Sequence, residues 1–394
     1  MTGSETASGP LLAVVGVPGG RRVTLFRDAA RAAGLPPVRV VPWIDVLRGR
    51  ARFRPGELVR IDSPGEDPAV DRELRGVADP ARVEGTARWY RRFTGAVREV
   101  VAAARSAGAV PLDDPDELAV LFDKRLCHGT LLEAGIPVPG SPTSGSGAPP
   151  VGGWEDVRAL AGSSGVRRMF VKLAHGSSAS GVLAVETASG GRVRATTSVE
   201  RDGDGRLFNS LRVRRYTTER EVAALVDALA PDGLHIERWL PKASQDGRAA
   251  DLRVVVIAGR ATHAVLRTSR SPMTNLHLGG ARGDLARAAA AVEASGGSWP
   301  ETLALCERAA ARFPGSPRVG VDLLPGTGWR RFAVGEVNAF GDLLPRLTGL
   351  PGGGAEGQDT YAAQIAALRR HPGRPAPSSP LAPGRTGSHH RASV

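Results

Sequence analysis

A turn rich in glycine and serine follows a lysine near the middle of the chain, in the sequence KLAHGSSASGV that begins at Lys172. Small residues allow successive backbone N–H groups to point into one concavity, which suits a phosphate group. The serine hydroxyl groups add donors, and Lys172 adds positive charge that backbone dipoles supply only in part. The pattern predicts an anion site, although a plain hairpin turn can have the same composition.

Three side chains that carry oxygen lie on two apolar segments further along the chain. Asp322 belongs to GVDLLPG, and Glu336 and Asn338 belong to GEVNAF. Two residues apart, Glu336 and Asn338 share one face of a predicted strand. Mg²⁺ binds carboxylate and amide oxygens, and needs few carboxylates because it keeps waters and nucleotide phosphates as ligands. The pattern predicts a metal site at these three residues, with ordinary solvent-facing polar residues as the alternative.

The chain is strongly basic, with 52 lysines and arginines against 40 acidic residues and a net charge of +12. The arginines are scattered, which favours a generally basic surface over a nucleic-acid-binding patch. Lysine occurs only at Lys124, Lys172 and Lys242. Because arginine fills almost every other basic position of this chain, a lysine indicates a position that needs a compact, flexible point charge.

Length and composition indicate a globular protein of two or three domains. The 394 residues are 41% hydrophobic and 23% charged, which allows a large core. Two cysteines, Cys127 and Cys306, exclude a disulfide-stapled scaffold and suit a reducing compartment. Apolar runs fall short of the roughly 20 residues of a membrane-spanning helix, and the N-terminus lacks the basic start of a secretory signal. We expect a cytoplasmic protein without membrane association.

The apolar pattern predicts alternating strands and helices. A first α/β unit spans residues 11–112, and one helix is predicted over residues 117–134. A helix at residues 299–311 precedes the last two of nine further strands, predicted at 169–173, 182–186, 192–199, 207–215, 234–239, 251–258, 261–268, 318–323 and 331–337. The proline-rich tail, residues 371–394, is predicted to be disordered.

Seven short segments, in this order, resemble motifs of the ATP-grasp superfamily. They are Asp123-Lys124, Val171-Lys172 with the turn His175 to Gly181, Glu237-Arg238-Trp239-Leu240, Asp251-Leu252-Arg253, Asn275 to Gly280, Gly320-Val321-Asp322 and Glu336-Val337-Asn338. Their spacing looks most like the branch of the RimK-type ribosomal-protein glutamate ligases and the glutathione synthetases. The resemblance implies an α/β fold in which two α/β subdomains, here residues 113–236 and 237–370, grip ATP behind a small Rossmann-like N-terminal domain.

The resemblance also implies a nucleotide-binding role for each matched residue. Lys124 and Lys172 would hold the α- and β-phosphates of ATP. The residues that would cover the triphosphate are Gly176, Ser177, Ser178 and Gly181. Those that would contact the rest of the nucleotide are Glu237 and Trp239 at adenine and ribose, Asp251, and Asn275 near the γ-phosphate.

The same resemblance implies the reaction. ATP-grasp enzymes activate a carboxylate as an acyl phosphate, which an amine or a similar nucleophile then attacks. Arg253 and Lys172 would stabilise charge on the transferred group, and Asp322, Glu336 and Asn338 would bind one or two Mg²⁺ ions, with Mn²⁺ as an alternative. We therefore expect a carboxylate–amine ligase that converts ATP to ADP and phosphate, acting on a small-molecule or peptide carboxylate and an amine-type acceptor.

Two other functions stay open at this point. A phosphotransferase would use the same nucleotide site with a hydroxyl group in place of the carboxylate. A catalytically inactive relative would bind nucleic acid or a protein partner, but it would have little use for the complete set of Asp322, Glu336 and Asn338. The sequence leaves the substrates and the oligomeric state open.

The sequence departs from the superfamily pattern near the predicted acceptor side. Met273 stands where the ribosomal-protein ligases have arginine, so Arg267 or Arg270 is the candidate substitute. A predicted hairpin at residues 192–215 carries several arginines and either lines this side or is a solvated basic ribbon.

Overall fold

Three β-sheets organise the chain. The structure is a computed structural model that describes residues 9–177, 180–341, 344 and 347–370. A four-stranded sheet is followed by one of five strands and one of six. The predicted mixed α/β class is confirmed, whereas the predicted tail at residues 371–394 lies outside the described residues.

The first sheet is parallel throughout. Its strands and helices are β1 (Leu12–Gly16), α1 (Arg21–Ala32), β2 (Arg39–Pro42), α2 (Trp43–Leu47), β3 (Leu58–Ile61), α3 (Pro68–Arg75), α4 (Thr86–Ser106) and β4 (Val110–Pro111). The strand order is β2-β1-β3-β4. The carboxyl ends of these strands therefore lie along one edge of the sheet.

Strand β3 is missing from the sequence-based prediction because a charged residue interrupts its apolar run. Arg60 is only 2% exposed, and its guanidinium lies 4.4 Å from the ring centroid of Phe26 and 5.8 Å from that of Tyr361. It also donates a 2.9 Å hydrogen bond to Asp62. These contacts compensate the buried charge, so a core strand can contain an arginine. The sequence of such a strand resembles that of a surface loop.

The prediction of one helix over residues 117–134 is wrong. The structure has two helices, α5 (Pro115–Leu121) and α6 (Lys124–Glu133). The side chain of Asp123 accepts the backbone N–H groups of Arg125 and Leu126 as the N-cap of α6, and a capping residue lies outside the helix it begins. The break puts Lys124 at the first position of α6.

The second sheet is antiparallel and covered on one face by two helices. Its elements are α7 (Trp154–Ser163), β5 (Arg168–Leu173), β6 (Leu183–Thr187), β7 (Val193–Arg201), β8 (Leu207–Tyr216), α8 (Glu219–Leu229) and β9 (Leu234–Arg238), and its order is β8-β7-β6-β5-β9. Met169, Val171 and Leu173 of β5 pack with α7 and α8 in one core. Since side chains alternate along a strand, Phe170 and Lys172 lie on the opposite face.

The third sheet is also antiparallel. Its elements are β10 (Ser244–Gln245), β11 (Arg248–Ile257), β12 (Arg260–Ser269), β13 (Ala281–Arg282), α9 (Leu285–Ala294), α10 (Trp299–Ala310), β14 (Arg318–Pro325), β15 (Phe332–Ala339) and α11 (Thr360–Arg370). The order is β13-β12-β11-β14-β15, with β10 paired to the start of β11.

The two faces of the third sheet differ in polarity. Leu252, Val254 and Val256 of β11 share a core with residues of α10. On the other face, Val255 and Ile257 pack with residues of α11, but towards the start of β11 the alternating positions are Asp251 and Arg253. This face is therefore apolar where α11 covers it and charged beyond that helix.

Glu117 of α5 is a buried carboxylic acid at the contact between this helix and the loop before β14. It is 9% exposed, and its Oε1 accepts a 2.9 Å hydrogen bond from the backbone N–H of Gly315. Burial, reinforced by the neighbouring charges of Asp114 and Asp113, raises the pKa of Glu117 to about 7, although the Gly315 N–H opposes the shift. The folded chain therefore favours the neutral acid.

We expect Glu117→Gln to stabilise the protein at alkaline pH. The pKa of Glu117 in the folded chain exceeds its ordinary value of 4.5, so the stability due to the neutral form is complete below pH 4.5 and is lost as pH rises through about 7. Glutamine stays neutral and keeps an acceptor for Gly315. The melting temperature, followed by circular dichroism, should exceed that of the parent at pH 8 by a few degrees and match it at pH 5. Equal shifts at both pH values would contradict the assigned ionisation.

Candidate functional site

Lys124 joins three parts of the chain. From the start of α6, its Nζ donates to Glu336 Oε1 of β15 at 2.5 Å and to the carbonyl oxygen of Gly176 at 2.8 Å. Burial lowers the pKa of Lys124, but the facing Glu336 carboxylate outweighs burial and raises it. Lys124 is therefore a charged ammonium held between the predicted phosphate turn and the predicted metal ligands.

Lys172 of β5 makes a second lysine–carboxylate pair. Its Nζ donates to Glu237 of β9, the strand next to β5. Glu237 is 3% exposed. Burial raises the pKa of Glu237, but the Lys172 ammonium and the nearby His235 lower it to about 2, so the carboxylate is ionised at neutral pH.

Cross-strand pairing lines up the charges on the third sheet. Arg253 of β11 is directly opposite Asp322 of β14, which is in turn opposite Glu336 of β15. Asp251 of β11 is opposite Arg267 of β12. Directly opposite residues on one face of an antiparallel pair have neighbouring side chains, so this register brings together five charged residues that are distant in sequence.

Arginine side chains form ion pairs with both aspartates of this group of five charged residues. Arg253 Nη2 donates to Asp322 Oδ2 at 2.9 Å. Arg267 donates from Nη2 to Asp322 Oδ1 at 2.8 Å and from Nε to Asp251 Oδ1 at 2.7 Å. Burial raises the pKa of Asp322, but Arg253 and Arg267 lower it well below its ordinary value. Of the two candidate substitutes for the missing arginine, Arg267 lies in the site and Arg270 is exposed.

The two predicted asparagines, Asn338 and Asn275, lie next to this group of five charged residues. Asn338 is opposite Gly320 in the pairing of β14 and β15, and its Nδ2 donates to the Gly320 carbonyl oxygen at 3.3 Å. It therefore lies on the Glu336 face of β15, as predicted from the two-residue spacing. Asn275 lies between β12 and β13, next to Thr274, whose hydroxyl group donates to Asp251.

The glycine turn has little space for larger residues. Gly181 has φ +67°, and a Cβ there would lie 2.4 Å from Leu173 Cδ1. A Cβ at Gly176 would lie 2.9 Å from the Ser180 carbonyl oxygen. Ser177 is exposed on this turn, whereas Ser178 lies outside the described residues. Glycine is thus required at Gly181 by its positive φ and at both positions by the lack of space for a Cβ.

An apolar cluster lies between the two antiparallel sheets. It contains Phe170, Val182, Ala184, Met273 and Leu278, with Trp239 partly buried against it. The Arg168 guanidinium lies 4.0 Å from the ring centroid of Trp239. This cluster was not predicted from the sequence, because its members come from strands and loops that meet only in the folded chain.

The described residues contain no group of three or more His, Cys, Asp or Glu side chains arranged to hold a metal ion. The predicted metal ligands include only two residues of these types, since the third is Asn338. Among the helices described, none has the length and hydropathy of a membrane span.

No protein-family model and no curated protein matches the sequence. Among solved structures, D-cycloserine synthetase DcsG matches 91% of this chain and 99% of its own, with a TM-score of 0.55 and 14% identity. This chain shares the fold of that synthetase. A likeness at this level of identity shows the fold alone, and it does not single out the branch of the glutamate ligases and glutathione synthetases.

Two further structures match with lower TM-scores. The ATP-grasp ligase PsnB, complexed with minimal precursor, Mg and ADP, matches 91% of this chain and 98% of its own, with a TM-score of 0.48 and 19% identity. The macrocyclase MdnC from Microcystis aeruginosa MRC, bound with precursor peptide MdnA, matches 91% of this chain and 99% of its own, with a TM-score of 0.47 and 11% identity.

We expect Asp322→Asn to destabilise the folded chain even without ligand. The variant would leave the guanidinium groups of Arg253 and Arg267 facing each other in a largely buried site, which should cost about 3 kcal/mol of unfolding free energy. Urea denaturation measures the loss. Asp246→Asn, which breaks the exposed pair with Arg287, is the matched control and should leave stability unchanged. Equal effects of the two variants would count against a shared, buried Asp322.

Proposed function

We propose that this protein is an ATP- and Mg²⁺-dependent ligase that activates a carboxylate as an acyl phosphate and joins it to an amine or a related nucleophile. The observation that carries the proposal is the meeting of Lys124, Lys172 and the glycine turn beside the charged face of the third sheet. Each lysine is paired with a carboxylate of the chain, so a polyanion entering the site finds cations already in place.

The phosphate-binding part of the proposal rests on charge and backbone geometry. Lys124 and Lys172 would hold the α- and β-phosphates, and Gly176, Ser177, Ser178 and Gly181 would cover the triphosphate. A triphosphate would compete with Glu336 for the Lys124 ammonium. That exchange keeps a cation paired with an anion throughout, which limits its electrostatic cost.

The base of the nucleotide would lie at the apolar cluster. Phe170 and Ala184 of the second sheet and Met273 between β12 and β13 offer apolar contacts, and Trp239 and Glu237 would contact adenine and ribose. Planar rings gain from stacking against such side chains. Asp251 and Asn275 complete the proposed nucleotide contacts.

The predicted metal ligands fit Mg²⁺. Asp322 and Glu336 are direct cross-strand neighbours, and Asn338 lies two residues along the same face. Two carboxylates and one amide suit an ion that fills its remaining positions with water and phosphate oxygens. Bound Mg²⁺ would neutralise phosphate charge and polarise the transferred phosphoryl group. Mn²⁺ would fit the same oxygen donors.

The proposed reaction also gives roles to Arg253 and Lys172. An oxygen of the substrate carboxylate attacks the γ-phosphorus, ADP leaves, and the amine then displaces phosphate from the acyl carbon. Arg253 and Lys172 would stabilise the charge that develops on the transferred group, which is how such groups act in phosphoryl transfer. No side-chain nucleophile is needed, in keeping with the two cysteines: burial raises the thiol pKa of Cys127 to about 12 and that of Cys306 well above its ordinary value.

We expect MgATP to raise the melting temperature of the protein and Glu336→Ala to abolish the Mg²⁺-dependent part of that rise. A ligand that binds only the folded state stabilises it by about 2.7 kcal/mol at 100 times its dissociation constant. Thermal shift with ATP alone, Mg²⁺ alone and both together measures this. Glu301→Ala, on the exposed first turn of α10, is the control. An unchanged MgATP response in Glu336→Ala would remove Glu336 from the metal site.

Hydroxylamine trapping separates the proposed ligase from a phosphotransferase. With MgATP, hydroxylamine and a panel of free amino acids, dicarboxylic acids and short peptides, we expect hydroxamate formation that depends on the carboxylate and matches ADP release. An acyl phosphate reacts with hydroxylamine, whereas a phosphate ester does not. ADP release with a hydroxyl acceptor and no hydroxamate would favour the phosphotransferase. Salt-dependent nucleic-acid binding without ATP turnover would favour an inactive binding protein.

A further inference from the structure

Lys242 is the third lysine of the chain, and neither the motif pattern nor the resemblance gives it a role. It follows β9 by four residues, at the point where the chain passes from the second sheet to the third. Its backbone is fixed there, since Lys242 bridges Gly326 and the following Ala243 N–H donates to the Pro325 carbonyl oxygen at 2.8 Å. Its side chain is only 9% exposed. All three lysines are thus largely buried beside carboxylates.

The ammonium of Lys242 lies between two acceptors. Its Nζ is 3.3 Å from Asp251 Oδ2 and 3.3 Å from Thr274 Oγ1. The Thr274 hydroxyl group donates to the same Asp251 oxygen, and Arg267 occupies the other oxygen. Asp251 therefore receives three donors and is 3% exposed, and it connects Lys242, Arg267 of β12 and Thr274.

Thr274 belongs to residues 270–280, which we term the bridging segment. Met273 and Leu278 of this segment pack with Phe170 and Ala184 of the second sheet, and Asn275 is the proposed γ-phosphate contact. Other hydrogen bonds described for the segment are local, from Ser269 to Ser271 and between Asn275 and Gly280. Among the described side-chain hydrogen bonds of the segment, those of Thr274 with Lys242 and Asp251 join it to the charged face of the third sheet.

We propose that Lys242 is a positioning residue of the nucleotide site, which holds Thr274 against Asp251 and thereby fixes the bridging segment with Asn275 and Met273. The inference rests on the proposed function for its nucleotide part. A compact ammonium can serve two acceptors in a confined space, whereas the wider, planar guanidinium of arginine needs a different geometry. This accounts for lysine at one more position of an arginine-rich chain.

Charge supports the same role. On this face of the third sheet, Glu336 is balanced by Lys124, and Lys242, Arg253 and Arg267 are three cations beside the two carboxylates of Asp251 and Asp322. Lys242 thus leaves a net positive charge after both aspartates are balanced, and a triphosphate nearby would be attracted to it. Loss of Lys242 is expected to loosen the segment and to weaken nucleotide binding together.

Hydrogen–deuterium exchange tests the positioning without any ligand. In Lys242→Met, which keeps the length of the side chain and removes its charge, peptides from residues 270–280 should exchange faster than in the parent, while peptides from β11 and β14 should not. Thr274→Val should have the same local effect, and it serves if Lys242→Met does not fold. Arg287→Met, which removes a cation from the exposed pair with Asp246 near β10, is the control and should leave the segment unchanged.

Titration with the non-hydrolysable analogue AMP-PNP and Mg²⁺ tests the nucleotide part. Lys242→Met should weaken binding about tenfold, as expected for loss of an interaction with a charged group, and Lys242→Arg should recover part of it. The double variant Lys242→Met/Thr274→Val should bind no more weakly than Lys242→Met alone, because both changes remove one coupled contact.

The two experiments can contradict the proposed function and the positioning role of Lys242 independently of each other. If the parent protein does not bind AMP-PNP, the proposed function fails, and the exchange data still decide whether Lys242 fixes the segment. If the parent binds and Lys242→Met matches it in both exchange and affinity, the positioning role of Lys242 is overturned. Faster exchange with unchanged affinity would overturn its link to the nucleotide.

Discussion

The arrangement of the candidate site depends on the balance of buried charges along β11, β14 and β15. Asp322 is shared by Arg253 and Arg267, and Glu336 is held by Lys124. Such groups are largely removed from water, so each needs a partner of opposite sign to stay charged. The cross-strand register supplies those partners, and a slip of one residue would turn every one of these side chains into the apolar core beneath the sheet.

The N-terminal part of the chain is joined to the second sheet by polar, apolar and aromatic contacts, one of which involves the first residue of the glycine turn. Asp232 accepts the backbone N–H groups of Gly85 and Ala87 and so caps the start of α4. Val83 is fully buried in the core of the second sheet. Tyr90 of α4 stacks on His175 with ring centroids 4.0 Å apart. The residue that begins the turn therefore packs against a helix of the first unit.

Sequence predicted the parts of this protein that depend on local pattern. The strands around Lys172 and Asp322 were found because alternation and apolar runs are local, and Glu336 and Asn338 share a face as their spacing required. Strand β3 was missed because Arg60 is neutralised by Asp62 and two aromatic rings, which only the folded chain brings together. The contacts of Lys242 were missed for the same reason, since its two acceptors are 9 and 32 residues away in sequence.

The pairing of lysines with carboxylates also explains how the folded chain can hold buried cations at a site that is proposed to bind an anion. An unpaired ammonium at the position of Lys124 or Lys172 would lose hydration without compensation. Glu336 and Glu237 remove that cost in the free protein. On the proposed function, a triphosphate with Mg²⁺ would bring both an anion for Lys124 and a cation for Glu336. Each member of that pair would then exchange one partner for another of the same sign, which limits the electrostatic cost of separating Lys124 from Glu336.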